Sequence, residues 1–311
     1  MFNPRIIKPE RLRKGDTIGI VAPASSFDPG NFKRGVKMLR KMGYRVKYEH
    51  SILSRYWSKS GHEKERAEQI NRMFADKNVK AIFCANAGEG STEILPYLDK
   101  KIIRENPKIF VGYSDITILL LYLQKIADMV VFHGPVVADE IYDHMNQATL
   151  DYLLRTFSQT SPIGPVMFPQ LVPLKPGKAQ GILMGGNITL IMKAIDTSYE
   201  MPTENKILFL EDINEKPNTI RDYFLNMERI GMFKKVRGLL LGKMVNCFKD
   251  KKSFQEMLKE IFHDYKFPII FGFPSGHKRR RNGAQITLPL GILATIDADA
   301  AVLRIDESAV R

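Results

Sequence analysis

A serine stands where a strand-forming segment gives way to a helical one. Residues 111–115 are V-G-Y-S-D, so an apolar run reaches Ser114 through a glycine, and a helical pattern follows at residues 115–125. A sharp turn from strand to helix is the setting of a nucleophile elbow, which lifts a hydroxyl above a sheet. The helix start adds backbone N–H groups that could stabilise an oxyanion. The second glycine of the full G-x-S-x-G pattern is missing, and a serine that only caps the helix stays the alternative.

A nucleophilic serine needs a histidine as general base and a carboxylate that orients the histidine. His277 is one candidate because it ends a loop rich in glycine and proline, and His133, which follows a strand-forming segment, is its rival. The carboxylate candidate is Glu211, which comes directly after four apolar residues. A surface charge at a strand end is the alternative interpretation of that residue. Asp212 and Glu215 stay open for the same role.

The elements that must position these residues alternate along the first half of the chain. We predict strands at residues 17–22, 44–48, 79–84, 109–112 and 129–132, with helices at 31–42, 62–75 and 115–125. Such alternation is typical of βαβ units that build a parallel sheet. Sites in these sheets lie at the carboxyl ends of the strands. The loops after Ala22, Cys84 and Gly112 are therefore expected to meet at one edge.

The second half is expected to form a separate unit. Five prolines between residues 158 and 178 make that segment a poor helix and predict a linker. Beyond it we predict strands at 206–210, 238–243, 269–271, 284–288 and 293–296, with helices at 188–195, 219–231 and 253–265. The division is then a first domain at 1–157, a linker at 158–178 and a second domain at 179–311. The predicted fold class is α/β, with a Rossmann or flavodoxin-like parallel-sheet domain followed by a β-rich α/β domain.

Composition and charge exclude several classes of function. Hydrophobic residues make up 44% and charged residues 26% of the 311, which is typical of a globular protein. The net charge of +13 could attract nucleic acid, but it is spread along the chain, and the densest basic run, at 278–281, has only four residues. We expect that run to be a solvated loop or to clamp a peptide carboxylate beside His277, so no nucleic-acid partner is predicted.

The location of the protein is also constrained. Cys84 and Cys247 lie far apart and form no metal or redox motif, so we expect buried thiols in a reducing compartment. No apolar segment is long enough to span a bilayer, and residues 1–15 lack the apolar core of a signal peptide. A cytoplasmic protein without a membrane partner is the expectation.

Five sequence blocks follow one another along almost the whole chain. They are R-L-R-K-G-D-T-I-G-I-V-A-P-A at 11–24, L-P-Y-L-D at 95–99, G-Y-S-D-I-T at 112–117 with F-H-G-P at 132–135, G-G-N at 185–187 with I-L-F-L-E-D at 207–212, and G-H at 276–277 with Asn282 and L-P-L-G at 288–291. In this order and spacing they resemble the LD-carboxypeptidase family, which holds the muramoyl-tetrapeptide carboxypeptidases and the related microcin C immunity proteins.

The resemblance implies a serine peptidase with a triad split between two domains. Its nucleophile would be Ser114, its base His277 and its orienting residue Glu211, so the resemblance favours His277 over His133. The substrate would be a recycled muropeptide, and the bond cleaved would be the L-to-D bond between diaminopimelate or lysine and a terminal D-alanine. A homodimer is also implied, whereas no metal or organic cofactor is.

The resemblance further implies an oxyanion hole. Its donors would be the backbone N–H of Asp115 and one from the loop after the third strand, for which we take Ala87 and Gly88. Candidate substrate contacts are Asn86, Glu89 and Asn187.

The chain departs from the family pattern in two places. The usual loop, R-G-G-Y-G or R-G-G-E-G, is N-A-G-E-G at 86–90, so Asn86 replaces a cation that could hold a carboxylate, and Ala87 replaces a glycine. Alanine would be strained there if the position required positive φ. The usual P-Y-R-I-D-R run is P-N-T-I-R-D at 217–222.

Two other functions remain open. One is an immunity-type hydrolase that cleaves an amide in a peptidyl-nucleotide antibiotic. The other is a non-catalytic α/β protein that binds a ligand at the loops after Ala22 and Cys84 and keeps Ser114 only as a helix cap.

Overall fold

The computed structural model describes residues 6–142, 145–277 and 283–311, and these residues form two β-sheets with helices packed against them. The strands of the first half are short and apolar. In chain order they are β1 Thr17–Val21, β2 Arg45–Lys47, β3 Val79–Cys84, β4 Ile109–Gly112 and β5 Val131–His133. The helices between and after them are α1 Pro29–Lys41, α2 Glu63–Ala75, α3 Lys100–Glu105, α4 Thr117–Ala127 and α5 Gln147–Ser158.

The first sheet is parallel across these five strands. They lie in the order β5-β4-β3-β1-β2, and each neighbouring pair is parallel. This confirms the predicted parallel α/β sheet. Five of the six residues of β3 are buried, because helices cover both faces of such a sheet. Full burial of a side chain such as Phe83 stabilises the fold by about 2–3 kcal/mol. The loops after β1 and β3 do meet at one edge, where the N–H of Ser25 donates to the carbonyl of Ala87 over 3.1 Å.

The second half contributes the longer strands. They are β6 Gly164–Val166, β7 Val172–Lys175, β8 Lys178–Asn187, β9 Lys206–Ile213, β10 Gly238–Val245, β11 Ile269–Phe271, β12 Leu288–Leu290, β13 Leu293–Asp297 and β14 Val302–Ile305. The helices of this half are α6 Ile188–Ala194, α7 Pro217–Arg229 and α8 Lys251–Ile261.

Eight of these strands build a mixed second sheet in the described part of the chain. Their order is β6-β14-β13-β8-β9-β10-β11-β7, with a parallel centre from β8 to β11 and antiparallel strands on both sides. The predicted β-rich α/β second unit is therefore confirmed. In both sheets the parallel strands present their carboxyl ends to loops, which is the arrangement that favours a site there.

Helix α8 shows why the local sequence gives these elements. The side chain of Asp250 accepts a hydrogen bond from the N–H of Ser253 over 2.8 Å and caps the helix. Phe254, Leu258 and Ile261 recur at helical spacing, and all three are buried.

Several predicted boundaries need correction. Residues 158–178 are not a bare connector, since they contain β6 and β7, which pair with β14 and β11 at opposite ends of the second sheet. Strand β9 runs on to Ile213, so Glu211 lies inside the strand and not after it. Helices α3 and α5 and strands β8 and β14 were not predicted. The division of the chain into 1–157 and 179–311 stays a prediction.

One strand crosses from the second half into the first sheet. The strand predicted at 284–288 is β12, at Leu288–Leu290, and it pairs antiparallel with β5 instead of joining the second sheet. Across the same junction, Oγ1 of Thr117 in α4 accepts a hydrogen bond from the N–H of Asn187 at the end of β8 over 3.1 Å. The two sheets are thus fixed to each other beside the turn that carries Ser114.

No helix within the described ranges is long and apolar enough to cross a membrane. The basic run at 278–281 and Asn282 lie outside the described residues.

Candidate active site

Strand β4 delivers Ser114 into a strained turn at the edge of the first sheet. β4 ends at Gly112, a short 3-10 turn spans Ser114–Ile116, and α4 follows directly. The backbone of Ser114 has φ 59°, in the left-handed region that few residues other than glycine adopt. Such a conformation costs on the order of 1–3 kcal/mol and is concentrated at active sites.

Three side chains form a continuous hydrogen-bonded row at this turn. Nε2 of His277 lies 2.8 Å from Oγ of Ser114, and Nδ1 of the same ring lies 2.7 Å from Oε2 of Glu211. Ser114 comes from the first half of the chain, whereas Glu211 lies in β9 and His277 in the loop after β11. The folded chain therefore brings together the three residues selected from the sequence.

Glu211 is fully buried, and the backbone next to His277 is shaped around its carboxylate. The N–H of His277 also donates to Oε2 of Glu211, over 3.1 Å. The loop reaches this position through Gly276, which has φ 91°. A Cβ atom on Gly276 would lie 2.5 Å from Oε2 of Glu211, so both the φ value and the close approach require glycine there.

The electrostatics of the pair suit a general base. Burial opposes ionisation of Glu211, but the neighbouring His277 outweighs it and lowers the pKa of the carboxyl below its ordinary value. Burial also opposes protonation of His277, yet the charge and hydrogen bond of Glu211 raise the pKa of the imidazole above its ordinary value. An ionised carboxylate beside a histidine fixes the ring tautomer and stabilises the imidazolium.

Tyr113, which directly precedes the serine, packs against His277. Its ring packs edge-on against His277, with 5.0 Å between ring centroids. The phenol donates to Oε1 of Glu140 over 2.7 Å, and Oε2 of Glu140 accepts from the N–H of Val136 over 3.0 Å. Burial, together with Glu140, raises the pKa of Tyr113 well above its ordinary value, so the phenol keeps its proton.

The loop at residues 86–90 follows β3 and bonds to the loop after β1 through Ser25 and Ser26. Gly88 has φ 104°, and a Cβ there would lie 2.3 Å from Oγ of Ser25, so this position requires glycine. The same hydroxyl accepts from the N–H of Glu89 over 3.0 Å. Ala87 does not have positive φ, so its replacement of the family glycine causes no backbone strain.

Asp115 ties this loop to the turn of the serine. Its carboxylate accepts from the N–H of Ser91 over 2.8 Å, and its carbonyl accepts from the hydroxyl of Ser91 over 2.7 Å. Burial raises the pKa of Asp115 above its ordinary value, although the bonds from Ser91 oppose that effect. These bonds join Ser91, which follows the 86–90 loop, to the residue directly after Ser114.

The three predicted substrate contacts have different surroundings. Nδ2 of Asn86 donates to the carbonyl of Ser26 over 3.1 Å. Glu89 is exposed and forms an ion pair of 3.0 Å with Lys59.

Asn187 is buried, and both ends of its amide are engaged within the protein. Oδ1 accepts from the N–H of Leu190 at the start of α6, and Nδ2 donates to Asp212 over 3.0 Å. The substrate-binding roles of Asn86, Glu89 and Asn187 stay predictions.

The alternatives to the three selected residues take no part in the hydrogen-bonded row. His133 is fully buried, and its ring nitrogens have no hydrogen-bond partner among the described residues. Asp212 accepts bonds from Asn187 and Thr189, and Glu215 lies near the hydroxyl of Thr189.

Sequence reasoning missed the residues that support the site from behind. These are Ser25, Ser91, Tyr113 and Glu140. Only Tyr113 carried a signal, because it lies inside the G-Y-S-D block. Within the described residues, no group of three or more His, Cys, Asp or Glu side chains could hold a metal ion.

Comparison with known families matches both halves of the chain. The model of the LD-carboxypeptidase N-terminal domain matches residues 18–134, and that of the LD-carboxypeptidase C-terminal domain matches residues 180–296. Ser114 falls within the first match, whereas Glu211 and His277 fall within the second.

Individual relatives match over nearly their full length. The probable murein peptide carboxypeptidase of Bacillus subtilis is 34% identical, over 93% of this chain and 91% of the relative. The microcin C7 self-immunity protein MccF of Escherichia coli is 29% identical, over 95% of this chain and 94% of the relative. The crystal structure of muramoyltetrapeptide carboxypeptidase from Oxalobacter formigenes superposes with a TM-score of 0.81 at 26% identity, over 93% of this chain and 97% of that one.

Proposed function

Because the chain belongs to the LD-carboxypeptidase family, we propose that it is a serine peptidase that removes the terminal D-alanine from muropeptide tetrapeptides. In this proposal Ser114 is the nucleophile, His277 the general base and Glu211 the residue that orients the base. The observation that carries it is the unbroken row of hydrogen bonds from Glu211 through His277 to Ser114, with distances of 2.7 and 2.8 Å.

The reaction begins at the serine hydroxyl. Nε2 of His277 takes the proton as Oγ of Ser114 attacks the carbonyl carbon of the bond that precedes D-alanine. Negative charge then develops on the carbonyl oxygen. The backbone N–H of Asp115, with those of Ala87 and Gly88, would stabilise this oxyanion. The bond to the amine breaks when His277 returns the proton to the leaving D-alanine.

The second half of the reaction releases the shortened peptide. Water enters where D-alanine has left, and His277 takes a proton from it as the water oxygen attacks the acyl carbon. The ester bond to Oγ of Ser114 then breaks, and His277 returns the proton to Oγ. Glu211 keeps the proton of the imidazole on Nδ1, so that Nε2 faces the serine and then the water. Its charge supports the imidazolium in both steps.

The muropeptide substrate rests on the relatives named as murein peptide and muramoyltetrapeptide carboxypeptidases. A second candidate function, cleavage of a peptidyl-nucleotide amide, rests on the similarity to the self-immunity protein MccF. Asn86, where the family has arginine, bears on this choice, since the loop lacks that cation to hold a substrate carboxylate. Mass spectrometry of a mixture of both substrates would distinguish the two functions, because the preferred substrate is consumed first.

The proposal is tested by chemistry at one serine. A fluorophosphonate probe is expected to label the wild-type protein and the Ser54→Ala control, in which an exposed serine is changed, but not Ser114→Ala. Release of D-alanine from a tetrapeptide should fall at least about 10⁴-fold in Ser114→Ala. Near-normal release by that variant would end the proposal. Absence of labelling in all three proteins would favour the non-catalytic ligand-binding function.

Three further properties stay predictions. We expect a homodimer, which light scattering of the purified chain would reveal, and a cytoplasmic location, which fractionation of the native cells would test. We also expect no binding to DNA, so that retention on immobilised DNA with a steep salt dependence would contradict this expectation.

A further inference from the structure

His133 occupies an unusual place behind the triad. It is the last residue of β5, where it lies beside Gly112 of β4 on one side and Leu288 of β12 on the other. Its side chain is 0% exposed, and neither Nδ1 nor Nε2 has a hydrogen-bond partner among the described residues. A buried polar group without a partner costs about 1–3 kcal/mol, so its retention calls for a reason.

Aromatic contacts connect this histidine to the triad from two directions. Its ring centroid lies 5.0 Å from that of Phe209 and 5.9 Å from that of Tyr113. Phe209 precedes Glu211 by two residues in β9, so their side chains point to the same face of the sheet. Tyr113 also packs against His277.

Glu211 has a buried acceptor atom that lacks a hydrogen-bond donor. Its Oε2 atom accepts both hydrogen bonds from His277, whereas its Oε1 atom is buried and has no partner in the described part of the chain. An ionised carboxylate has acceptor positions on both oxygens. Burial lowers the pKa of His133 to about 4, even though the charge of Glu211 opposes the shift. The imidazole is therefore neutral at neutral pH and keeps one N–H to donate.

We propose that His133 is a positioning residue of the triad, whose neutral imidazole supplies the hydrogen-bond donor for Oε1 of Glu211 through one bridging water. This inference rests on the proposed function of Glu211 and His277. With both oxygens held, the carboxylate cannot rotate away from the ring of His277. The donor also draws negative charge away from Oε2 and so limits how tightly His277 holds its proton.

Other titratable groups interact with Glu211 and His277, and a test of His133 must leave them unchanged. From the first domain these are Tyr113 and Glu140, and from the second they are Asp212 and Cys247. Substitutions confined to His133 leave all four in place.

Two substitutions with opposite chemistry separate a donor from a packing group. His133→Gln keeps an N–H but not the aromatic ring, whereas His133→Phe keeps an aromatic ring without polar atoms. We expect kcat for D-alanine release to fall about tenfold to a hundredfold in His133→Phe, with KM unchanged, and to stay within about threefold of the wild type in His133→Gln. The acid limb of kcat/KM should move to higher pH in His133→Phe. Its melting temperature should not exceed that of the wild type, because Oε1 of Glu211 loses its donor and stays buried.

A purely structural role predicts the reverse order, with His133→Phe active and His133→Gln impaired, and this outcome would overturn the inference. If His133→Phe does not fold, His133→Met provides the same comparison.

A measurement that needs no turnover separates this inference from the proposed function. In a Ser114→Ala background, NMR titration of His277 should give a higher pKa with His133→Phe than with His133 or His133→Gln. An identical pKa in all three proteins refutes the positioning role even if the triad is correct. A Ser114→Ala protein that still releases D-alanine refutes the proposed function instead, whatever the titration shows.

Discussion

Substitution of Gly276 by alanine would disturb the triad without replacing any of its three residues. Gly276 has φ 91°, and the added Cβ would lie 2.5 Å from Oε2, 2.7 Å from Cγ and 2.8 Å from Cδ of Glu211. Glu211 lies fully buried in a central strand of the second sheet, so it has little room to retreat. The collision therefore has to displace the carboxylate or the loop that carries His277.

The displacement can be worked out from these distances. Ordinary contact with a Cβ begins at 3.4 Å, so Oε2 must move by about 0.9 Å, which lengthens its 2.7 Å bond to Nδ1 of His277 to as much as about 3.6 Å. A separation of that size is no longer a hydrogen bond. Misplacement by about 1 Å typically costs on the order of 10²-fold in rate, and we expect kcat to fall by at least that factor.

The control for backbone strain is Gly15→Ala. Gly15 has φ 88°, and a Cβ there would meet nothing within 4 Å, so the variant carries the same conformational cost of about 1 kcal/mol without the collision. Release of D-alanine from a tetrapeptide and thermal unfolding would be measured for both variants. The reasoning is refuted if Gly276→Ala folds and keeps kcat within about threefold of Gly15→Ala.

Two further expectations concern the pH dependence of activity and the loop at residues 86–90. His277 must be neutral to accept a proton, and its pKa is raised above 6.5 in the folded protein. We therefore expect kcat/KM to fall as the pH drops through an apparent pKa above 6.5, and an acid limb at or below 6.5 would contradict this. Arg66 is 1% exposed and binds the carbonyl of Gly90 over 2.9 Å and Glu93 over 2.5 Å. Arg66→Met should therefore lower the free energy of unfolding by about 2–3 kcal/mol in urea titrations. The exposed ion-paired Arg72 on the same helix is the matched control, because Arg72→Met should cost below about 1 kcal/mol, and equal losses in the two variants would refute the role of Arg66.

The sequence predicted most elements whose signal is local. Strands β3 and β11 were predicted with their observed bounds, because an apolar run with clear ends requires no information from distant residues. The end of β9 was misplaced, since Glu211 and Asp212 are polar and yet buried, and only the packing of the two sheets explains their burial. The proline-rich segment hid β6 and β7 because prolines are tolerated in edge strands such as these.

The site divides in the same way. Residue types, strand ends and the family resemblance selected Ser114, Glu211 and His277, but composition and spacing could not show that Gly276 lies against the carboxylate of Glu211. That contact joins residues 65 positions apart in sequence, and its geometry follows from the pairing of β9, β10 and β11. The partnerships of Ser91 with Asp115 and of Tyr113 with Glu140 were equally hidden, because each depends on where two loops meet.

Strand β12, from the second half of the chain, completes the sheet of the first half by pairing with β5. It follows His277 in sequence, yet it closes the edge of the sheet that leads to Ser114. A fragment ending at residue 157 would leave the hydrogen-bonding edge of β5 bare, and such edges recruit other chains into aggregates. Splitting the gene at the proline-rich segment should therefore yield insoluble pieces that regain solubility only when they are produced together. The base and the nucleophile are therefore carried by two sheets that β12 joins.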